Sequence, residues 1–388
     1  MNSIFKTASI ARLIILIAIG FVLPNQLLAQ RPELIIPATH QAGNVVISPD
    51  EKWLVSAGRG IKIWDNKTNK LLKNLEPGSK DNNRYNDGVA MAFNPQSNML
   101  AMQVADTMYF FDFNKFAIIN KVKISTKITS IVFDAEGKNV FIAGYKENGG
   151  DYNFIEKINS TNNLPVDAFC TLNIKTLASH YLDNLSISKN GKELMVYDAV
   201  MGSWIVDIET KKITKEFKET GNIYPYKYLS NGNIIAFAGK NEKVLYLQEL
   251  DSKTYLPLRK SKVIFKDEPS DEAMYYTRAF SSPSDKIILH HGNDFIFFNP
   301  VDFSITPKKQ LPEFKERMVF RTDITVAPSG NYYVVGNNMS KYSINNNTVL
   351  ETLGELPLDS YVQFVFKHTN GVCLKDRTLS WSWPPNTC

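Results

Sequence analysis

The sequence predicts an all-β chain, an eight-bladed β-propeller of four-stranded blades, with seven blades as the alternative count. Three observations carry this. Short runs rich in β-branched and aromatic residues recur along the chain, separated by clusters of Gly, Pro, Asn, Asp and Ser, which is the pattern of strands and hairpin turns. Equivalent turn positions recur at 46 residues from Pro49 to Pro95 and at 45 from Pro283 to Pro328, room for four strands each. No segment shows the periodicity of a long amphipathic helix.

The first residues have the three-part layout of a secretory signal. Lys6 and Arg12 precede an apolar run from Leu13 to Leu23, and Leu27-Leu28-Ala29 offers a small residue before Gln30. The run of 11 residues falls short of the roughly 20 needed to cross a bilayer as a helix, so cleavage after Ala29 is expected rather than a permanent anchor. The expected organisation is therefore a signal peptide at 1–29, one propeller over 31–385 and a tail at 386–388, in an exported protein of the periplasm or the cell exterior.

Within the propeller each unit opens with an apolar strand ending in a tight turn. The turns are Ser48-Pro49-Asp50, Asn94-Pro95-Gln96, Asp134-Ala135-Glu136-Gly137 and Ser188-Lys189-Asn190-Gly191 in the first half of the chain. Ser230-Asn231-Gly232, Ser282-Pro283-Ser284-Asp285, Ala327-Pro328-Ser329-Gly330 and His368-Thr369-Asn370-Gly371 follow, eight in all. Pro presets the first dihedral of such a turn and Gly or Asn accepts the positive one. A second strand (Trp53 to Ser56) and a third (Ile61 to Trp64) follow, and Asp65 to Asn69 turns the chain into an outer strand from Lys70 to Leu75. The last unit stops after its third strand near Trp381 to Trp383, while Glu33-Leu34-Ile35-Ile36 is a strand belonging to no unit. The N-terminal strand is therefore expected to complete the last blade and close the ring, removing an open edge.

Residues 33–75 resemble a WD40 repeat. Thr39-His40 stands where such repeats carry Gly-His, Ser48-Pro49-Asp50-Glu51-Lys52 matches their S-P-D-G-K turn, and Ile63-Trp64-Asp65 ends the third strand. In that family a His, a Ser or Thr, an Asp and the Trp form a buried hydrogen-bond network, roles that His40, Ser56 and Trp64 fill by position, while Gly58-Arg59-Gly60 lacks the Asp. Later units keep the strand pattern and lose the signature. The resemblance, to the divergent exported bacterial WD40-like propellers, implies a scaffold for protein or peptide contacts.

Composition narrows the function. The formal charge of +5 falls to +3 without the leader, which removes Lys6 and Arg12 and no acid, and the cations are dispersed among acids rather than gathered in a nucleic-acid-binding stripe. Three cysteines allow at most one internal disulfide: Cys373 with Cys388, tying down the tail, is the candidate pair, the alternative being Cys373 as a small buried residue of its strand. No C-x-x-C, H-E-x-x-H or G-x-S-x-G occurs, so the sequence points to no metal, no cofactor and no activated nucleophile. His290 and His291 are adjacent in a strand and point to opposite faces. Gly58-Arg59-Gly60 is a hairpin, with no helix after it to hold a phosphate.

The expected function is a non-catalytic binding or scaffold propeller recognising a protein, peptide or glycan. The alternative is a propeller enzyme with a small-molecule site at the channel mouth, a quinoprotein-like oxidoreductase or a hydrolase, although the five Trp residues follow no cofactor-docking repeat. The segments crossing between blades share Tyr and Arg, residues that combine contact area with hydrogen-bonding tips. Tyr85, Tyr181, Tyr226, Tyr276, Arg278 and Arg321 are accordingly the expected binding rim.

Overall fold

The computed structural model describes residues 44–58, 60–75, 90–104, 106–124, 127–145, 152–160, 167–175, 184–198, 202–218, 222–239, 244–266, 277–291, 294–306, 309–310, 324–336, 340–344, 349–352, 366–368 and 371–373. The chain divides into two compact units, His40–Gly354, and Met1–Thr39 together with Glu355–Cys388.

In His40–Gly354 the strands form seven antiparallel meanders, each pairing in chain order. Blade 1 is Asn44–Ile47, Trp53–Gly58, Gly60–Asp65 and Leu71–Leu75, and blade 2 is Met91–Phe93, Met99–Val104, Thr107–Asp112 and Ala117–Lys123. Blade 3 is Lys127–Phe133, Asn139–Tyr145, Tyr152–Asn159 and Asp167–Lys175, and blade 4 is Asn184–Ile187, Glu193–Asp198, Gly202–Asp207 and Lys212–Lys218. Blade 5 is Ile223–Tyr228, Ile234–Ala238, Val244–Leu250 and an outer strand in two pieces, Pro257–Lys260 and Phe265–Lys266. Blade 6 is Thr277–Ser281, Ile287–His291, Asp294–Asn299 and again a split outer strand, Ser304–Ile305 and Lys309–Gln310. Blade 7 is Ile324–Val326, Tyr332–Val335, Ser340–Ser343 and Val349–Thr352.

The second strand of each blade is buried on both faces, and its side-chain alternation sends successive residues into different blade interfaces. Val55 packs into the cluster shared with blade 2, whereas its neighbour Leu54 packs into the cluster shared with blade 7. Leu100 and Ala101, Phe141 and Ile142, Leu194 and Met195, Ile287 and Ile288, and Tyr333 and Val334 divide in the same way. Seven hydrophobic clusters result, one for each junction, including the junction of blade 7 with blade 1, where Val45, Ile47, Leu54 and Trp64 meet Ala327 and Val334. First strands of successive blades touch from blade 1 through blade 5 and from blade 6 to blade 7, and the first strand of blade 7 touches that of blade 1.

Two kinds of turn repeat. In the turn between first and second strands, Ser48 Oγ donates to Asp50 Oδ1 at 2.7 Å and accepts from Trp53 N at 2.9 Å; Ser188, Asn190 and Glu193 reproduce this in blade 4. Between third and fourth strands an Asp caps the turn. Asp65, Asp207 and Asp251 each accept from the backbone N–H and hydroxyl of the Thr three residues later. Each turn ends in a residue with positive φ, Asn69, Lys211 and Tyr255, and Phe116 and Phe303 stand at the matching sites of blades 2 and 6.

The eight-bladed count is therefore corrected to seven. Among the described residues the eighth turn joins Phe366–His368 to Gly371–Cys373, a two-stranded hairpin in the other unit. A turn of this kind makes a hairpin; a blade also needs a third strand and an Asp- or Asn-type turn into a fourth. Blade 7 carries its own fourth strand, so it has no gap for the N-terminal strand to fill. Glu33 to Ile36, the leader and the expected third strand of the last unit lie outside the described residues.

Candidate functional site

Of the expected rim, Tyr226 lies in the first strand of blade 5 at 7% exposure, edge-on to Tyr197 at 5.2 Å and to Phe237 at 5.5 Å. It fills the interior between blades and cannot serve as a rim contact. Arg278 lies in the first strand of blade 6, opposite His290. Tyr85, Tyr181, Tyr276 and Arg321 lie outside the described residues, as do His40 and Cys388. Cys373 ends the hairpin of the other unit.

Trp64 and Ser56 meet within blade 1. Both are buried, and the indole Nε1 donates to Ser56 Oγ at 2.8 Å. The strand register brings this about, since Ser56 and Trp64 are offset by two positions across the pair in which Leu54 opposes Trp64.

Two lysines, buried Lys341 and half-buried Lys227, bond from one blade to the next. Lys341, on the third strand of blade 7, is 5% exposed and donates to the carbonyl of Asn66 and, at 2.7 Å, to Asn69 Oδ1 in blade 1. Lys227 of blade 5 donates to the Ser282 carbonyl of blade 6 at 2.8 Å with Asp285 beside it, and burial holds its ammonium below the ordinary lysine range against the pull of Asp285. Glu249 is 2% exposed; burial raises its carboxyl, but donors from Asn233, Arg259 and Asn231 leave it below the ordinary range. Arg259 in turn reaches the carbonyls of Pro300 and Val301 in blade 6.

The outer strands differ. Every large exposed apolar side chain among the described residues sits on an outer strand or a loop adjoining one: Leu71, Leu72, Ile118, Ile119, Ile213, Leu256, Leu258, Val263 and Val301. On blades 4 and 5 they accompany aromatics and cations. Phe217 packs edge-on to Tyr255 at 5.7 Å, and Lys215 Nζ lies over both rings, 5.6 Å and 5.7 Å from their centroids. Burial, then the nearby Glu193 carboxylate, raises the Tyr255 hydroxyl above the ordinary tyrosine range. Lys260 Nζ lies 5.1 Å from the Tyr246 ring centroid. Sequence reasoning missed this face, although its signal was present in the alternation of Lys with Ile and Phe through Lys212–Lys218.

Seven four-stranded blades around one ring define the class: a β-propeller. No family model matches the chain and no curated protein is significantly similar to it. Among solved structures, "Kuenenia stuttgartiensis Hydrazine Synthase" superposes with a TM-score of 0.54 at 13% identity, covering 81% of this chain and 98% of that one. The β-propeller domain of Cps50 (Swd1) from Myceliophteria thermophila superposes with a TM-score of 0.54 at 12% identity, covering 80% of this chain and 95% of that one. At these identities the likeness shows the fold alone.

Proposed function

We propose that this chain is a non-catalytic binding or scaffold propeller, an exported member of the divergent WD40-like group that recognises a protein, peptide or glycan in the periplasm or outside the cell. The observation supporting this reading is the division among its polar groups. Buried Lys341 and Asn66 and half-buried Lys227 bond across blade junctions, which makes the ring a stiff platform, while the exposed cations on its outer strands are left to meet a partner. The leader at 1–29 supplies the route out of the cytoplasm. Tyr85, Tyr181, Tyr276, Arg278 and Arg321 remain the proposed rim, without Tyr226.

The test is cross-linked capture from the native cell envelope with a C-terminally tagged chain, alongside fractionation and an absorption spectrum of the purified protein. A specific partner lost on replacing Tyr276 and Arg278 with Ala, with melting unchanged, supports the reading. Retention in the cytoplasm, or a stoichiometric chromophore with turnover of a small molecule, overturns it in favour of the enzymatic alternative.

A further inference from the structure

We propose that the outer face of blades 4 and 5 docks an extended acidic and apolar segment of a partner protein. This rests on the reading of the chain as a binding module and on none of the rim residues. The first support is charge. Lys211, Lys212, Lys215, Lys218, Lys253 and Lys260 are all exposed here, and none makes an ion pair among the described residues. Of the acids nearby, Asp207 and Asp251 accept from their turns, Glu193 from the Tyr228 hydroxyl at 2.9 Å, Glu216 from the Trp204 indole at 3.4 Å and Glu249 from Arg259, while Glu209 is exposed. Over 207–218 and 251–262 eight Lys and Arg stand against four Asp and Glu, and this cationic excess is left for an outside anion.

The second support is apolar. Leu256 and Leu258, just after Tyr255 in the chain, are 63% and 54% exposed beside the Phe217 and Tyr255 pair, apolar surface suited to side chains of an extended chain. The third is the backbone. Lys212–Lys218 is the outermost strand of its sheet and is continuous, whereas the outer strands of blades 5 and 6 are split. A peptide supplies the N–H and C=O groups that such an edge can pair with; a lipid headgroup supplies only the charge.

Lysines on an edge strand also keep it from pairing with other copies, and the test separates that role. A fluorescein-labelled peptide of about ten residues alternating Glu with Leu, long enough to span such a strand, is titrated against the full chain by anisotropy. A matched peptide with Lys in place of Glu and vesicles of phosphatidylglycerol and phosphatidylcholine serve as the other probes. Lys215→Glu with Lys260→Glu keeps the edge charged, so solubility and melting should hold, while affinity for the acidic peptide should fall about tenfold or more and the salt dependence should shrink. Replacing Leu256 with Ser should weaken binding without altering the salt dependence. Equal affinity of wild type and charge-reversed protein, equal binding of the Lys peptide, or binding of vesicles without the peptide would each overturn the proposal. Failure here with envelope capture intact removes only this surface; failure of both removes the binding-module reading as well.

Discussion

The side-chain amide of Asn66 donates to the hydroxyl of Tyr332 at 2.7 Å, joining the first blade to the last across 266 residues of chain. Asn66 is 6% exposed, and the same amide nitrogen also donates to the Glu51 carbonyl at 2.7 Å. Its place in an Asn-Lys-Thr sequon does not make it a glycan acceptor, because the nitrogen that would carry the sugar is buried and bonded. Because blade 7 supplies all four of its own strands, side chains at this junction carry the closure that a shared strand would otherwise carry.

Lys341→Met should destabilise the ring by about 2 kcal/mol, since it leaves the buried Asn66 carbonyl and Asn69 side chain short of a donor. Urea unfolding measures this. A loss within experimental error of zero would mean the junction is held by its apolar cluster alone.

Trp64→Phe should cost about 1–2 kcal/mol by stranding the buried Ser56 hydroxyl, and adding Ser56→Ala to it should cost little more. Simple additivity of the two changes in thermal melting would argue that the bond contributes nothing.

Gly202→Ala should be severe, about 3 kcal/mol or more. Gly202 has φ of +121°, and a Cβ there would lie 2.0 Å from the Phe217 carbonyl oxygen in the outer strand of blade 4. Loss of that strand's protection in hydrogen exchange would localise the damage.

The turn aspartates predict an acid limb. Backbone and hydroxyl donors of Thr68, Thr210 and Thr254 hold the carboxyls of Asp65, Asp207 and Asp251 below their ordinary value of 3.8. Their contribution is complete above that value and is lost as pH falls through the lower folded-state pKa values, because the unfolded chain takes up the proton first. Asp251→Asn should be tolerated at neutral pH, as Asn299 caps the equivalent turn of blade 6 with a 3.3 Å bond from Val301 N. It should also flatten the fall in melting temperature below about pH 4. An unchanged acid limb would contradict the assignment.

What could be read from the sequence was what is local. Ser48-Pro49-Asp50 and the Ile63-Trp64-Asp65 run announce strands and turns because their geometry is set by residues a few positions apart. The blade count was not legible from the Ser/Pro/Gly turns, since one of the same kind also joins the two strands of the hairpin ending at Cys373. The Asp turn at Asp65, Asp112, Asp207 and Asp251 follows a third strand and leads into a fourth, so it is the better marker of a blade. Lys341, Asn66 and Tyr332 meet only once the ring has closed, and no spacing in the chain forecasts that. The aromatic residue Tyr226 had the composition of a contact residue, yet its alternation in Ile223–Tyr228 directs it into the core.

The seven-bladed closure is tested most directly by a double-mutant cycle on Asn66→Ala and Tyr332→Phe in urea. With blades 1 and 7 adjacent, the two changes should couple by about 1 kcal/mol, because each removes one half of the same bond. An eighth blade would stand between these residues, and effects that add to within about 0.3 kcal/mol would contradict the account.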